Sequence, residues 1–302
     1  MISIINKRKY FYFFSGALVT LSLLIFFVWG LKFGIDFTGG TQMDVKFEKQ
    51  IPSKDNLQKT LQSLKLDSLT IQPSNGNEVI LKYKNSDDKT NTQVFKAIQK
   101  KDPGATQLSV DFIGASVSDQ LKKNAIEAII LAVIGIALYI AWAFRKVSRP
   151  VKSWKYGMGA IIALAHDVTI TTGFFVLLGR YFGIEVGVPF IAALLTILGY
   201  SVNDTIVVYD RIRENLTKSS AKENFENVVN RSLNETLARS INTSLTVIIV
   251  LLAIIFFGGE SIKYFSLALL IGVMFGTYSS IYVASALMVT TYKHQLKSSN
   301  KS

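Results

Sequence analysis

Two aspartates stand where a carboxylate is expensive. Asp167 lies in "ALAHDVTITTG" and Asp204 in "GYSVNDTIVVYDRIREN", each within a run of otherwise uncharged residues. An Asp near the centre of a membrane helix costs about 2.5–3.5 kcal/mol on insertion scales, so one retained there points to function. The chemistry open to it is reversible ion loading. Burial favours the protonated acid and a nearby cation favours the carboxylate, so a site that alternates between those settings takes up and releases a proton. One charge crossing the full potential is worth about 2.3 kcal/mol per 100 mV. That is enough to move helices and, through them, a domain outside the membrane.

The neighbours of these carboxylates define the alternatives. Tyr200, Asn203 and Asp204 share a helix face by their i, i+3, i+4 spacing. Arg239 opens the next apolar run at the same membrane side, where a helix pair could bring it to Asp204. Against coupling stand a fixed Asp204–Arg239 pair, satisfaction of Asp204 by nearby hydroxyls and amides, and an Arg239 that snorkels to the interface. His166 is adjacent to Asp167, about 100° round the helix, and reads as a packing or hydrogen-bonding residue more than a relay member. The coupling ion is expected to be H⁺. Na⁺ stays open, because Ser201, Asn203 and Thr205 offer oxygen ligands beside Asp204. A lone His without a spacing partner makes no metal site, and no cofactor is expected.

The elements that position these groups are apolar helices. The chain has 302 residues, 49% of them hydrophobic, and a net charge of +12. Uncharged or nearly uncharged runs lie between Lys9 and Lys32, Glu127 and Arg145, Lys155 and Arg180, Glu185 and Asp210, Arg239 and Glu260, and Lys263 and Lys293. A helix needs about 20 apolar residues to cross the hydrocarbon, so six spanning helices are expected, the second starting near Asn124. The first has a basic flank but is longer than a signal-peptide core and lacks a cleavage site, so it reads as an anchor. The N-terminus, the 145–155 loop, the 210–239 loop and the C-terminal tail hold 17 Lys and Arg, against two in the short loops 179–187 and 258–263. That asymmetry puts both termini in the cytoplasm. It also accounts for the basicity as a topology signal, so nucleic acid is not an expected partner. The expected organisation is 1–31 as N-terminus and first membrane helix, 32–123 as an outside domain, 124–292 as five further helices and 293–302 as a cytoplasmic tail.

Residues 32–123 differ in kind. "TQMDVKFE" alternates like a half-buried strand. Residues 53–65 place Leu57, Leu61 and Leu64 on one helical face behind Ser53 as N-cap. "SLTIQP" and "EVILKYK" read as strands around "SNGN", "NTQVFKAIQK" as a second helix, and "TQLSVDFIG" as a last strand. The order is β-α-β-β-α-β, a ferredoxin-like α+β domain. With no cysteine in the chain, no disulfide holds it.

"GIDFTGGTQ", Gly34–Gln42, joins the first span to this domain. Gly34 is expected to end the first helix, and Gly39 and Gly40 to let the backbone turn. Asp36, at the outer interface, would cap or pair. The stretch reads as a joint that passes motion, so stiffening Gly39 or Gly40 to Ala is expected to slow function more than assembly. Gly272 and Gly276 form a GxxxG suited to internal packing. Residues 221–241 carry a stripe from Phe225 to Ile241 and read as an amphipathic helix on the inner surface. Nothing resembles a P-loop, a catalytic triad or a paired-carboxylate hydrolase site, so an enzyme is not expected.

"GIDFTGGTQ" resembles the signature of the Sec accessory subunits SecD and SecF. "ALAHDV", "GYSVNDTIVVYDRIRENL" and "IGVMFGTYSSIYVASAL" are similar to the SecF branch, and the likeness covers nearly the whole chain. The resemblance implies one half of a resistance-nodulation-division-like unit in the bacterial inner membrane, with a separate SecD as the other half. It implies use of the proton gradient to pull or release unfolded preproteins outside, after the SecA motor and SecYEG channel have started them, with YajC as a further partner. The family's coupling aspartate matches Asp204, its basic partner matches Arg239, and its third-span His-Asp pair matches His166 and Asp167. A small-molecule transporter half of the same superfamily and an assembly factor without ion coupling are the competing readings. The small size of the outside domain argues against the former.

Overall fold

The computed structural model describes residues 2–48, 50–74, 76–84, 87–144, 153–219 and 223–299. Most of the basic 145–155 loop, Asn75 of the "SNGN" turn and the last three residues of the tail lie outside the described residues. Among the described residues, six helices are long and apolar enough to cross a membrane: Ile5–Trp29, Ala115–Ala143, Trp154–Phe182, Val188–Lys218, Phe225–Phe257 and Ile262–Gln295. In chain order the helices are α1 (Arg8–Trp29), α2 (Ile35–Thr38), α3 (Lys54–Leu61), α4 (Asp88–Gln99), α5 (Ala115–Ala143), α6 (Ser153–Phe182), α7 (Val188–Lys218), α8 (Phe225–Phe257), α9 (Glu260–Ser279) and α10 (Ser285–Ser299). A π-helical turn, Ser280–Ala284, joins α9 to α10 within the sixth span.

The centre of the bundle is α6, α7 and the sixth span. Their buried residues Tyr156, Ala160, Leu198, Tyr209, Ile281 and Met288 pack in one cluster. The outer helices turn large apolar side chains outward, among them Phe13 and Phe27 of α1, Ile130 and Leu138 of α5, and Ile249 and Phe256 of α8. That is the surface a lipid solvent favours. Small residues bring the central helices close. A Cβ on Gly272 would lie 2.2 Å from Ile197 Cδ1, and one on Gly276 would lie 3.1 Å from Ser201 Cβ. The GxxxG is therefore an internal contact with α7.

The four strands β1 (Gly40–Lys46), β2 (Thr70–Pro73), β3 (Glu78–Tyr83) and β4 (Thr106–Ile113) form one antiparallel sheet in the order β2-β3-β1-β4. This is the expected βαββαβ domain. Met43, Val45, Val79, Leu81 and Tyr83 alternate into a core with Leu57, Leu61, Val94 and Ile98 of α3 and α4. Ser53 caps α3 by accepting from the Asn56 amide. The second membrane helix begins at Ala115, inside the expected 32–123 segment, because the chain turns from strand to helix at Gly114.

Two expectations need correction. Gly30, with φ +67°, ends α1, whereas Gly34 is extended and precedes the short α2. The "GIDFTGGTQ" stretch, expected as a joint, is tied to the loop between α6 and α7. Its Gly34 amide donates to the Val186 carbonyl at 2.9 Å, Val186 donates back to Lys32, and Phe33 bridges Val186. Finally, residues from Phe225 onward do not form a separate surface helix. They are the first turns of the continuous α8, with Phe225, Val229 and Leu233 buried in the bundle core.

The ends of the bundle are distinct. At one, the Ile2 amide donates to Asn234, the Ile4 amide to Asn230, and Arg8 and Lys293 both pair with Glu226. At the other, Glu185 pairs with Lys32 at 3.4 Å and with Lys82 of β3 at 3.0 Å, tying the sheet to the loop between α6 and α7.

Candidate functional site

Asp167 is fully buried on α6 and accepts from three side chains. Its Oδ1 lies 2.9 Å from His166 Nδ1, and its Oδ2 accepts from Ser201 Oγ at 2.6 Å and from Ser279 Oγ at 2.8 Å. A buried carboxylate is tolerable only with such donors. His166 meets the residue that follows it on the same helix, Asp167. Its ring stacks on Tyr278 at 6.0 Å, and its Nε2 is buried without a hydrogen-bond partner among the described residues.

Asp204 is half-buried on α7 and held by two hydroxyls from different helices. Ser240 of α8 donates to Oδ1 at 2.6 Å, and Ser280 of the π turn donates to Oδ2. A line of hydroxyls continues outward from this point. Ser244 Oγ, one turn beyond Ser240, donates to the Ser240 carbonyl at 2.8 Å, meets Thr277 Oγ1 and accepts from Tyr200 Oη at 3.1 Å. Serine and threonine hydroxyls both donate and accept. Such a set suits a carboxyl group in either protonation state.

The structure separates residues that spacing alone had grouped. Arg239 is exposed and forms no ion pair with Asp204 among the described residues. It lines a groove of about 430 Å³ with Asp210, Arg213 and Glu235. Consecutive helical side chains point about 100° apart, and it is Ser240 that occupies the Asp204 face. The reading in which hydroxyls satisfy Asp204 therefore describes this conformation. Ser201 serves Asp167, Thr205 donates to the Ser201 carbonyl at 3.1 Å, and Asn203 is exposed, so these oxygens do not converge on Asp204 as a sodium cage would. Among the described residues no group of three or more His, Asp or Glu side chains gathers to hold a metal ion. At the end of the bundle beside the sheet, Asp36 caps a membrane helix. Its Oδ2 accepts from the Val188 amide at 2.7 Å, at the N-terminus of α7. Gly39 and Gly40, at φ +69° and +133°, turn the chain from α2 into β1.

Ser240, Ser279 and Ser280 were missed in the sequence. A signal existed: adjacent serines in "YSSIY", in the middle of an apolar run, are two hydroxyls that need partners when lipid surrounds the helix.

Residues 93–294 match the family model for the protein export membrane protein SecD/SecF, C-terminal, and residues 25–51 match the SecD/SecF GG motif. The protein translocase subunit SecF of Thermobaculum terrenum is 42% identical over 96% of this chain and 94% of its own length. The protein translocase subunit SecDF of Bacillus subtilis is 36% identical over 97% of this chain but only 38% of its own length. The crystal structure of SecDF from Thermus thermophilus superposes with a TM-score of 0.84 at 34% identity, covering 96% of this chain and 38% of that one. Full-length relatives, two family models and the shared six-helix-plus-sheet architecture agree, and the chain belongs to the SecF family of protein-export membrane proteins.

Proposed function

We propose that this chain is the SecF half of an ion-driven export unit in the bacterial inner membrane. It works with SecD to complete the translocation of unfolded preproteins, after SecA and the SecYEG channel have begun it. Both termini face the cytoplasm in this reading, and the sheet domain stands outside. The observation that carries it is the pair of carboxylates at membrane depth, each supplied with hydroxyl donors from neighbouring helices. Such groups are costly in lipid and are retained where ions or protons move. Asp204, half-buried, is the loading site, and Asp167 with His166 is the inner member of the pair.

Two further facts support a SecD partner. SecDF relatives contain a segment similar to this chain as about two-fifths of one polypeptide. And α7 leaves Thr196, Gly199 and Asn203 exposed along one face at membrane depth. An amide facing hydrocarbon lacks hydrogen-bond partners, so a second protein helix covers this face. The proton is favoured over sodium because the oxygens beside Asp204 do not form a cage.

The test is Asp204→Asn in sealed vesicles holding the complete SecD–SecF complex. Proton uptake and the proton-gradient-dependent stage of export are expected to fall together while the complex still assembles. Unchanged uptake and export would leave an assembly role. Loss of wild-type activity in sodium-free buffer would replace the proton by sodium.

A further inference from the structure

The two carboxylates lie on different helices, yet both take a hydroxyl from consecutive residues of a third. Ser279 reaches Asp167 and Ser280 reaches Asp204. Each hydroxyl has a second acceptor in its own helix. Ser279 Oγ lies 3.1 Å from the Gly276 carbonyl and Ser280 Oγ lies 3.0 Å from the Thr277 carbonyl. A point on a helix can serve two neighbours because successive side chains diverge by about 100°.

The backbone at this point is irregular. The turn that starts at Ser280 is π-helical through Ala284, and single π turns inside α-helices recur at functional sites. Its far end is also gripped by α7: Tyr209 Oη donates to the Ala284 carbonyl at 3.0 Å. On α6, Gly159 leaves the room this requires, since a Cβ there would lie 2.5 Å from the Tyr209 oxygen. The wide turn is thus held at its start by both carboxylates and at its end by a phenol.

We propose that Ser279 and Ser280 are positioning residues that make this π turn the junction between the two carboxylates, so that the state of one is felt at the other. The proposal rests on the coupling reading of Asp204. A carboxylate accepts from Ser280, whereas a protonated acid has a hydrogen of its own to donate. When Asp204 is protonated, Ser280 turns its hydrogen to the Thr277 carbonyl and accepts from the acid. The exchange changes the last turn of α9, where Ser279 meets Asp167. No covalent bond changes in this step, and the proton stays on Asp204.

The experiment uses the complete SecD–SecF complex in vesicles, with labelling by a carbodiimide, which attacks protonated carboxyl groups, read by mass spectrometry at both aspartates. Ser280→Ala removes one of the two donors to Asp204. It is expected to raise labelling at Asp204 about tenfold, to change it at least about twofold at Asp167, and to slow proton uptake about tenfold. Ser280→Thr, which keeps the hydroxyl, restores all three, and Ser280→Cys, which keeps the volume but weakens the donor, does not. Ser279→Ala gives the mirror pattern. Thr291→Ala is the control and leaves uptake unchanged, since the Thr291 hydroxyl bonds its own helix at Leu287, beyond the π turn. If Ser280→Ala leaves Asp167 labelling at the wild-type level, or if Ser280→Cys works as well as Ser280→Thr, the junction is wrong. If Asp204→Asn stops uptake while both serine variants run at the wild-type rate, only the junction fails. If Asp204→Asn itself has no effect, the coupling reading fails with it.

Discussion

Replacing Gly40 by Ala should unfold the sheet domain while the membrane bundle stays folded. Gly40 opens β1 at φ +133°, opposite Ile113 of β4. A Cβ there would lie 2.5 Å from the Tyr83 carbonyl oxygen and 3.2 Å from the Lys84 Cα. Both obstacles are backbone, so no side-chain rotation relieves them. The backbone conformation costs about 1–3 kcal/mol for a residue with a Cβ. Backing the strand away breaks the end rungs at Gly40–Ile113 and Thr41–Tyr83, about 1 kcal/mol each. The sum, about 3–5 kcal/mol, is a large part of the roughly 5–15 kcal/mol that holds a whole domain. Gly39→Ala meets a milder case: φ is +69° and the nearest atom, the Ile113 carbonyl oxygen, is 3.3 Å away. It should cost about 1–2 kcal/mol. Gly76→Ala has the same φ with nothing within 4 Å, and isolates the backbone term. The assay is proteolysis of the sheet domain in vesicles that expose it, with the half-life compared across the three variants. Gly40→Ala should be cut far faster than the other two. Equal half-lives for Gly40→Ala and Gly76→Ala would refute the reasoning, because the clash would then contribute nothing. The expected effect of stiffening this stretch also divides. Gly39→Ala still separates function from assembly, whereas Gly40→Ala damages the domain itself.

Asp36→Ala should lower the thermal stability of the full chain in detergent by about 1 kcal/mol, since the Val188 amide at the head of α7 loses its cap. Asp36→Asn keeps an acceptor and should lose less, and an unchanged melting temperature for the Ala variant would show the contact to be idle. Asp87 caps α4, and the Thr90 hydroxyl, then the Thr90 amide, hold its carboxyl below the ordinary carboxylate range. Its folded value therefore lies below its unfolded one. The stabilisation is complete above the unfolded value and disappears as pH falls through the folded one. Asp87→Asn should flatten the acid unfolding of the sheet domain in that window, as read by pepsin cleavage, and an identical acid profile would contradict the cap.

Periodicity and charge carried most of the architecture. Uncharged runs of helical length have one physical use in a chain this apolar, and alternation at Met43, Val45 and Phe47 left one side for the core. The site was legible only in its costly members. Asp167 and Asp204 stand out because nothing else in their runs is charged. Ser240, Ser279 and Ser280 do not, because a serine in a membrane helix usually bonds its own backbone, as Ser285 does. Arg239 shows the limit of reasoning by membrane depth. It is near the right level, but rotation about the α8 axis assigns the contact to the next residue. Gly34 shows another. Several glycines followed the first span, and only the backbone angles distinguish Gly30 as the helix terminator.

The bond from the Val188 amide to Asp36 ties the end of α7 to the start of the sheet, so a tilt of α7 would reach the sheet directly. Asp204 lies 16 residues along that helix from Val188, about 24 Å at 1.5 Å per residue. A tilt of about 10° pivoting at the depth of Asp204 would swing the outer tip by about 4 Å. Asp36 is bonded to that tip, and β1 begins only four residues later, at Gly40. With Glu185 clamping Lys32 and Lys82 on either side, little slack would be left to absorb such a swing. The sheet would be carried as the load on a lever whose fulcrum is the carboxylate itself.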